Sequence, residues 1–379
     1  MKQISTVIIK PTKACNAQCT YCSSPPFVNE AQNWSLDQFK RYFDKFAPYI
    51  TDTAMLLWHG GEPMLMGPDF YWKAWEYVQA EKPNVSFSMQ TNLLSYGPRW
   101  KDLLQGPFRY SVSTSWDPDG KDRHFKGSAK LYSAVFWRRM EAFLEDGFHP
   151  KILATFTSET MKDAHTLYDK ALQYGDRTFD IRINYRFPVG LDHGKGVLIT
   201  PREYGETLVK ILDRWLDEEP AFNVTPLDQM IRASMGEEAE RCPWTSVCGG
   251  KFLGIEPNGD VYNCPDFADL EDPQYRFGNL ETDDMATMLA SPAARQIRRR
   301  RIQLPSSCYE CPYFHRCQGG CARDTVAYQR DLSGKFFYCE SWKMVYAAID
   351  KAVSESRGAS TFKRLQNYYA KPAAKVKAA

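Results

Sequence analysis

The sequence predicts an α/β fold: parallel βα units first, then a smaller cysteine-rich domain. Three observations predict it. Six short apolar runs recur through the first half of the chain, helical patterns lie between them, and eight of the eleven cysteines crowd between Cys242 and Cys339. Apolar runs of strand length separated by helices give a parallel sheet, because a parallel pair needs a crossover long enough to hold a helix.

The six runs are Ile4–Ile9, Ala54–Trp58, Val85–Gln90, Tyr110–Ser115, Ile152–Thr157 and Phe179–Asn184. Ser35 reads as an N-cap, with Leu36, Phe39, Tyr42, Phe43 and Phe46 on one helical face behind it. Further helices are expected within Phe70–Gln79, Leu131–Glu145, Asp163–Tyr174 and Arg202–Leu216. The stretch from Asp217 to Arg241 is mixed and reads as a bridge. Within the cysteine-rich part, Asn258-Gly259 marks the turn of a hairpin spanning Gly254 to Tyr262. A helix over Met344–Val353 then leads to a tail ending in KPAAKVKAA, which is expected to fray. The expected divisions are 1–235, 236–345 and 346–379.

A length of 379 residues allows two domains and a large core. The formal charge of +2 gives no general attraction to nucleic acid or membrane. The arginines at 295 and 298–301 read as a solvated helix face. No stretch approaches a membrane span, and the start lacks a signal-peptide pattern. A cytoplasmic location is expected, where cysteines bind metal more often than they pair.

Cys15, Cys19 and Cys22 form a CxxxCxxC loop directly after the first strand. Three thiolates on one loop suit a [4Fe–4S] cluster with one iron left without a protein ligand. Structural zinc usually takes four ligands and fits three poorly, and an odd total of cysteines argues against a disulfide framework. This loop resembles the signature of the radical S-adenosylmethionine (SAM) enzymes. Six βα units fit the open, partial (β/α)6 barrel of that family, whose chemistry sits at the C-terminal strand ends.

Other motifs support the resemblance. Gly60-Gly61-Glu62-Pro63 follows the second strand and matches the family's GGEP run, which grips the amino group of SAM. Paired glycines let backbone approach a ligand closely, and Glu62 can accept hydrogen bonds from an ammonium. Gln90-Thr91-Asn92 matches a QTN run, and Ser115 and Asp117 resemble the S-x-D segment near the SAM ribose. Lys126 sits about where relatives carry a basic residue for the methionine carboxylate, with Arg123 as rival. Trp58 reads as core. His59 reads either as a satisfied polar group or as a substrate contact.

From Cys308 to Cys339 the spacing is C-x2-C-x5-C-x3-C-x17-C. It resembles the SPASM domain, which carries two auxiliary [4Fe–4S] clusters. The resemblance implies Cys242, Cys248, Cys264 and Cys321 for one, and Cys308, Cys311, Cys317 and Cys339 for the other. A pair of zinc sites is the alternative use of eight thiolates.

The resemblance implies that the first cluster reduces bound SAM and that the resulting deoxyadenosyl radical takes a hydrogen atom from substrate. Three [4Fe–4S] clusters, SAM and a low-potential electron donor such as flavodoxin or ferredoxin follow from it. Auxiliary clusters suit an oxidative outcome, with Asp266, beside a cluster cysteine, as candidate base. The HGGEP form looks like maturases of ribosomally made peptides, including those that crosslink an aromatic ring to a neighbouring side-chain carbon. Anaerobic sulfatase maturases, which convert Cys or Ser to formylglycine, are the alternative. This chain departs from them at His59, at Ser24 and at Pro265-Asp266. With no N-terminal recognition domain expected, the precursor peptide or protein would meet the barrel mouth, the C-terminal domain or a separate protein. A non-catalytic iron–sulfur carrier would have no need of the GGEP, QTN and S-x-D set.

Overall fold

The computed structural model describes residues 4–23, 33–118, 120–189, 196–236, 242 and 248–370. The six apolar runs form strands β1 (Ile4–Ile9), β2 (Ile50–Trp58), β3 (Ser86–Thr91), β4 (Val112–Ser115), β5 (Lys151–Phe156) and β6 (Asp180–Tyr185). Each pairs in parallel with the next. β2 starts four residues earlier than its apolar run. Asp52 and Thr53 point to solvent there, so hydropathy hid that part of the strand.

The crossovers are α1 (Leu36–Phe46), α2 (Pro68–Glu81), α3 (Pro98–Gln105), α4 (Ala129–Glu145), α5 (Ala164–Gln173) and α6 (Pro201–Glu218). Ser35 caps α1 as its sequence suggests, accepting a hydrogen bond from the Gln38 N–H, and the helix buries Phe39, Tyr42, Phe43 and Phe46. Thr200 and Glu203 close a capping box on α6. Trp58 is fully buried and meets Phe70, Tyr71 and Phe87 edge-on at 5.8, 5.1 and 5.3 Å. Each such ring pair adds about 0.5–1.5 kcal/mol beyond its buried area.

The sheet extends past six strands at both ends. The stretch read as a bridge supplies β7 (Val224–Thr225), which pairs with β6, and α7 (Leu227–Ser234). Two residues are too few to show alternation. At the other edge the predicted hairpin is present as β8 (Phe252–Ile255) and β9 (Asp260–Tyr262), followed by β10 (Gly278–Asn279). β8 pairs in parallel with β1 from Thr6↔Phe252 to Ile9↔Ile255, and the Lys10 N–H donates to the Ile255 carbonyl at 2.9 Å. The order is β10-β9-β8-β1-β2-β3-β4-β5-β6-β7. The cysteine-rich segment therefore covers what would otherwise be the open edge of β1.

The helix expected over Met344–Val353 runs from Cys339 to Ser354 and packs on α6. Another helix covers Ala359–Ala370, where only a tail was expected. It is anchored just ahead by Arg357, which pairs with Asp213 at 3.0 Å and Asp217 at 2.8 Å on α6. The KPAAKVKAA tail lies outside the described residues. None of the described helices is long and apolar enough to cross a membrane.

Candidate active site at the C-terminal strand ends

Cys15–Cys22 follow β1, His59–Pro63 follow β2, Asn92 follows β3 and Ser115 closes β4. In a parallel barrel these ends face one mouth. The Cys15 sulfur accepts from the Ala17 N–H at 3.4 Å, and the Cys22 N–H donates to the Cys19 carbonyl. All three cysteines are free thiols. Burial pushes Cys15 up to about 12, with Glu62, Cys19 and Cys22 adding to the shift. Burial likewise pushes Cys19 up to about 11. Such thiols ionise only when something cationic holds the thiolate, which is what a metal centre does.

The glycines of the GGEP run lie against the cysteine loop. A Cβ on Gly60, whose φ is +128°, would lie 2.5 Å from the Thr12 carbonyl oxygen. One on Gly61 would lie 2.3 Å from that of Ala14. The Gly61 and Glu62 N–H groups donate to the Thr12 and Ala14 carbonyls at 3.0 and 2.8 Å. Glu62 itself is fully buried. Its carboxylate accepts from the Met64 N–H at 2.9 Å, the Thr91 hydroxyl at 2.6 Å and the Asn92 N–H at 2.7 Å. Burial wins over these three bonds and pushes Glu62 up to about 7. Pro63 starts the short turn that follows, and its carbonyl accepts from Tyr71 at 2.7 Å.

At β3 and β4, Gln90 donates to the Ser115 hydroxyl at 2.9 Å and accepts from Ser113, so these residues meet as one polar patch. Asn92 donates to Asn16 at 2.7 Å and lies 3.8 Å from the Cys15 sulfur. Asp117 is buried and accepts from Tyr21, from Arg123 Nε at 2.8 Å and from the Thr155 N–H at 2.9 Å. Arg123 also reaches to 4.0 Å from the Cys19 sulfur. Lys126 is exposed, with its ammonium 5.6 Å from the Phe125 ring. Of the two basic candidates, Arg123 is the one whose side chain approaches a cysteine sulfur of the loop.

A second group gathers where β1, β2 and β8 end. Lys10 is 2% exposed and pairs with Glu256 at 2.8 Å and Asp269 at 3.1 Å. Burial disfavours its charge, but the two carboxylates overcome that and hold the ammonium well above its ordinary pKa. Asp269 also accepts from Ser23 at 2.7 Å, just after Cys22. The His59 ring is pushed down by burial and by Lys10, so it is neutral, and its Nδ1 has no hydrogen-bond partner among the described residues. Asp266 is 56% exposed and 3.3 Å from Arg323. Burial works to raise its pKa, but the Arg323 guanidinium and then the Lys10 ammonium outweigh it and hold the carboxylate below its usual range. Arg323 in turn binds Asp324 at 3.1 Å and lies 3.6 Å over the Phe187 ring. Tyr185 donates to Asp324.

The eight later cysteines fall into two groups. Cys308, Cys311, Cys317 and Cys339 line one pocket, with Lys335, Phe336, Trp342, Lys343 and Tyr346 among the other residues of its wall. The Cys264 thiol is pushed well up by burial, then by Asp266 and by the Cys248, Cys242 and Cys321 thiols, so those four share one neighbourhood. Among the described residues no three His, Cys, Asp or Glu side chains converge tightly enough for a single metal ion. A cluster spreads its thiolates over several irons and takes a wider set.

Sequence reasoning missed Lys10, Glu256, Asp269, Arg323 and Asp324. The available signal was a charge directly abutting an apolar strand: Lys10 after Ile9 and Glu256 after Ile255. The SPASM iron–sulfur cluster-binding domain model matches residues 242–312. A serine-type anaerobic sulfatase-maturating enzyme of Bacteroides thetaiotaomicron is 25% identical over 373 residues, covering 90% of this chain and 89% of the relative. The structure of native anSMEcpe with bound AdoMet superposes with a TM-score of 0.79 at 20% identity, covering 95% of this chain and 99% of that one. Streptococcus suis SuiB bound to precursor peptide SuiA gives 0.63 at 14% identity, covering 89% and 75%.

Proposed function

We propose that this chain, a radical SAM enzyme with a SPASM domain, is a maturase that oxidises a side chain of a peptide or protein substrate. The observation that carries this reading is the convergence of a cysteine loop, a GGEP turn and the C-terminal domain's Asp266 at one set of strand ends. Likeness to sulfatase-maturating enzymes and to a peptide-bound SuiB supports it. Cys15, Cys19 and Cys22 would hold the first [4Fe–4S] cluster. Cys242, Cys248, Cys264 and Cys321 would hold a second, and Cys308, Cys311, Cys317 and Cys339 a third. The cluster and SAM supply radical hydrogen-atom abstraction when bound. Gly60 to Pro63, Gln90, Ser115 and Asp117 would frame SAM, with Arg123 better placed than Lys126 to meet its carboxylate.

Asp266 is the candidate base. Its carboxylate is ionised, open to the site and fixed by Arg323, so it can take the proton that oxidation of a substrate radical releases. The finer outcome we favour is a carbon–carbon crosslink of the cyclophane type in a ribosomally made precursor. His59 at the mouth, and Asp266 placed one residue beyond the position of the sulfatase maturases' acid, support it. Formylglycine formation is the second reading, favoured by the likeness over nine-tenths of the chain to a sulfatase-maturating enzyme. A low-potential donor such as flavodoxin or ferredoxin would supply the electron.

The test is mass spectrometry of anaerobic reactions containing reconstituted, reduced protein, SAM and either a sulfatase-signature peptide or small precursor peptides encoded nearby. Loss of two hydrogens with a new intrapeptide bond supports the crosslinker. An aldehyde on Cys or Ser moves the assignment to the sulfatase maturase. Absence of deoxyadenosine removes the basis of both.

A further inference from the structure

Arg300 differs from its neighbours. Arg295, Arg298, Arg299 and Arg301 are exposed as a solvated helix face should be, but Arg300 is 5% exposed. It lies in the 3-10 turn Arg300–Ile302 after the helix Pro292–Arg299. Its Nη2 donates to the Gly319 carbonyl at 2.9 Å, the Thr325 hydroxyl at 3.0 Å and the Gly334 carbonyl at 3.4 Å. Its Nε has no partner among the described residues. No described carboxylate lies within ion-pair distance of it. Asp331 senses its charge only from farther off, and that carboxylate is exposed and engaged by Ser333.

A buried guanidinium with only neutral acceptors is strongly disfavoured unless a negative charge is close. The groups that would favour its charge most, once ionised as cluster thiolates, are cysteines from both quartets: Cys321 and Cys248 from one, Cys308 and Cys317 from the other. Its hydrogen bonds have the same two-sided character. The Gly319 N–H donates to the Cys317 sulfur at 3.4 Å, and the Thr325 hydroxyl donates to the Cys321 carbonyl at 2.8 Å. The guanidinium is thus tied to one cysteine of each quartet through a single intervening residue.

We propose that Arg300 is the shared counter-cation of the two auxiliary cluster sites, a positioning residue that sets both reduction potentials together. The proposal rests on the three-cluster reading above. A cluster held by four thiolates is anionic and gains one further negative charge on reduction. A buried cation therefore stabilises the reduced state more than the oxidised one. Removing it makes both sites harder to reduce.

The test uses the full-length holoprotein with Cys15, Cys19 and Cys22 replaced by alanine, so that only auxiliary signals remain. Iron and sulfide content is measured first, then each cluster's midpoint by redox titration followed by electron paramagnetic resonance. In Arg300→Gln both reduction equilibrium constants should fall at least about tenfold, or about 59 mV for one electron. In Arg300→Lys both should stay close to the parent. Loss of iron from both sites in Arg300→Gln but not in Arg300→Lys also supports the shared charge. Unchanged potentials in an iron-replete Arg300→Gln, or a shift at one cluster only, overturn it. So does equal iron loss in both variants, which would assign Arg300 to hydrogen-bonding scaffold alone. If the triple-alanine parent holds iron for fewer than two clusters, the three-cluster reading itself fails, and the shared role fails with it.

Discussion

The Glu62 carboxylate accepts the backbone N–H of Asn92 at 2.7 Å, so a side chain from the end of β2 fixes the end of β3. Asn92 then donates to Asn16, beside Cys15. One buried carboxylate thus registers the GGEP turn, the QTN run and the cysteine loop against each other.

Glu62 should leave a pH signature. Its folded pKa is raised to about 7, so the folded protein keeps a proton there that the unfolded chain releases near its ordinary value. Stability is then highest below the unfolded pKa and falls as pH rises towards 7. Followed by infrared spectroscopy of the holoprotein between pH 5.5 and 8, the protonated carboxyl band of Glu62, absent in Glu62→Gln, should fade with a midpoint near 7. A carboxylate band unchanged across that range rejects this account.

Gly61→Ala should detach the first cluster selectively. The added methyl meets the Ala14 carbonyl, which is backbone and cannot rotate away. Overpacking of this kind costs about 1–3 kcal/mol and displaces the loop. Iron analysis should show loss of about one cluster's worth of metal, with SAM cleavage falling in proportion.

Lys10→Met should strongly destabilise the fold. Removing the cation leaves Glu256 and Asp269 buried together without it, a change worth about 3–5 kcal/mol. Denaturant midpoints should recover part of the loss in the double variant Lys10→Met/Glu256→Gln. No recovery would mean that the two residues are not coupled.

Asp266→Asn should separate the two halves of the reaction. Deoxyadenosine formation should persist, whereas modified peptide should fall by about 10²-fold or more, the range expected for a lost general base. Parallel loss of both, with iron content intact, would take Asp266 out of the proton-transfer role.

The strands and their crossovers were legible because Val7, Ile9, Leu56 and Trp58 sit on buried faces with regular spacing. The cysteine loop and GGEP turn were legible because their chemistry demands particular residue types at close spacing. β7 and the pairing of β8 with β1 were not, since short strands carry little pattern and sheet order is decided by partners far away in the chain. Arg300 was invisible for a related reason. In sequence it is one of four successive arginines, and only packing of the turn against Gly319 and Thr325 turns it inward.

The parallel pairing of β8 with β1 has an evolutionary and practical corollary. The cysteine-rich segment cannot be lent, traded or trimmed as a free-standing module, because its first strand is also a plank of the barrel wall, seated between β9 and β1. A shortened version ending before Phe252 would leave the first strand raw along one side and strip Lys10 of both its counter-charges. Any lineage that swaps this appendage for another must bring a replacement strand with it.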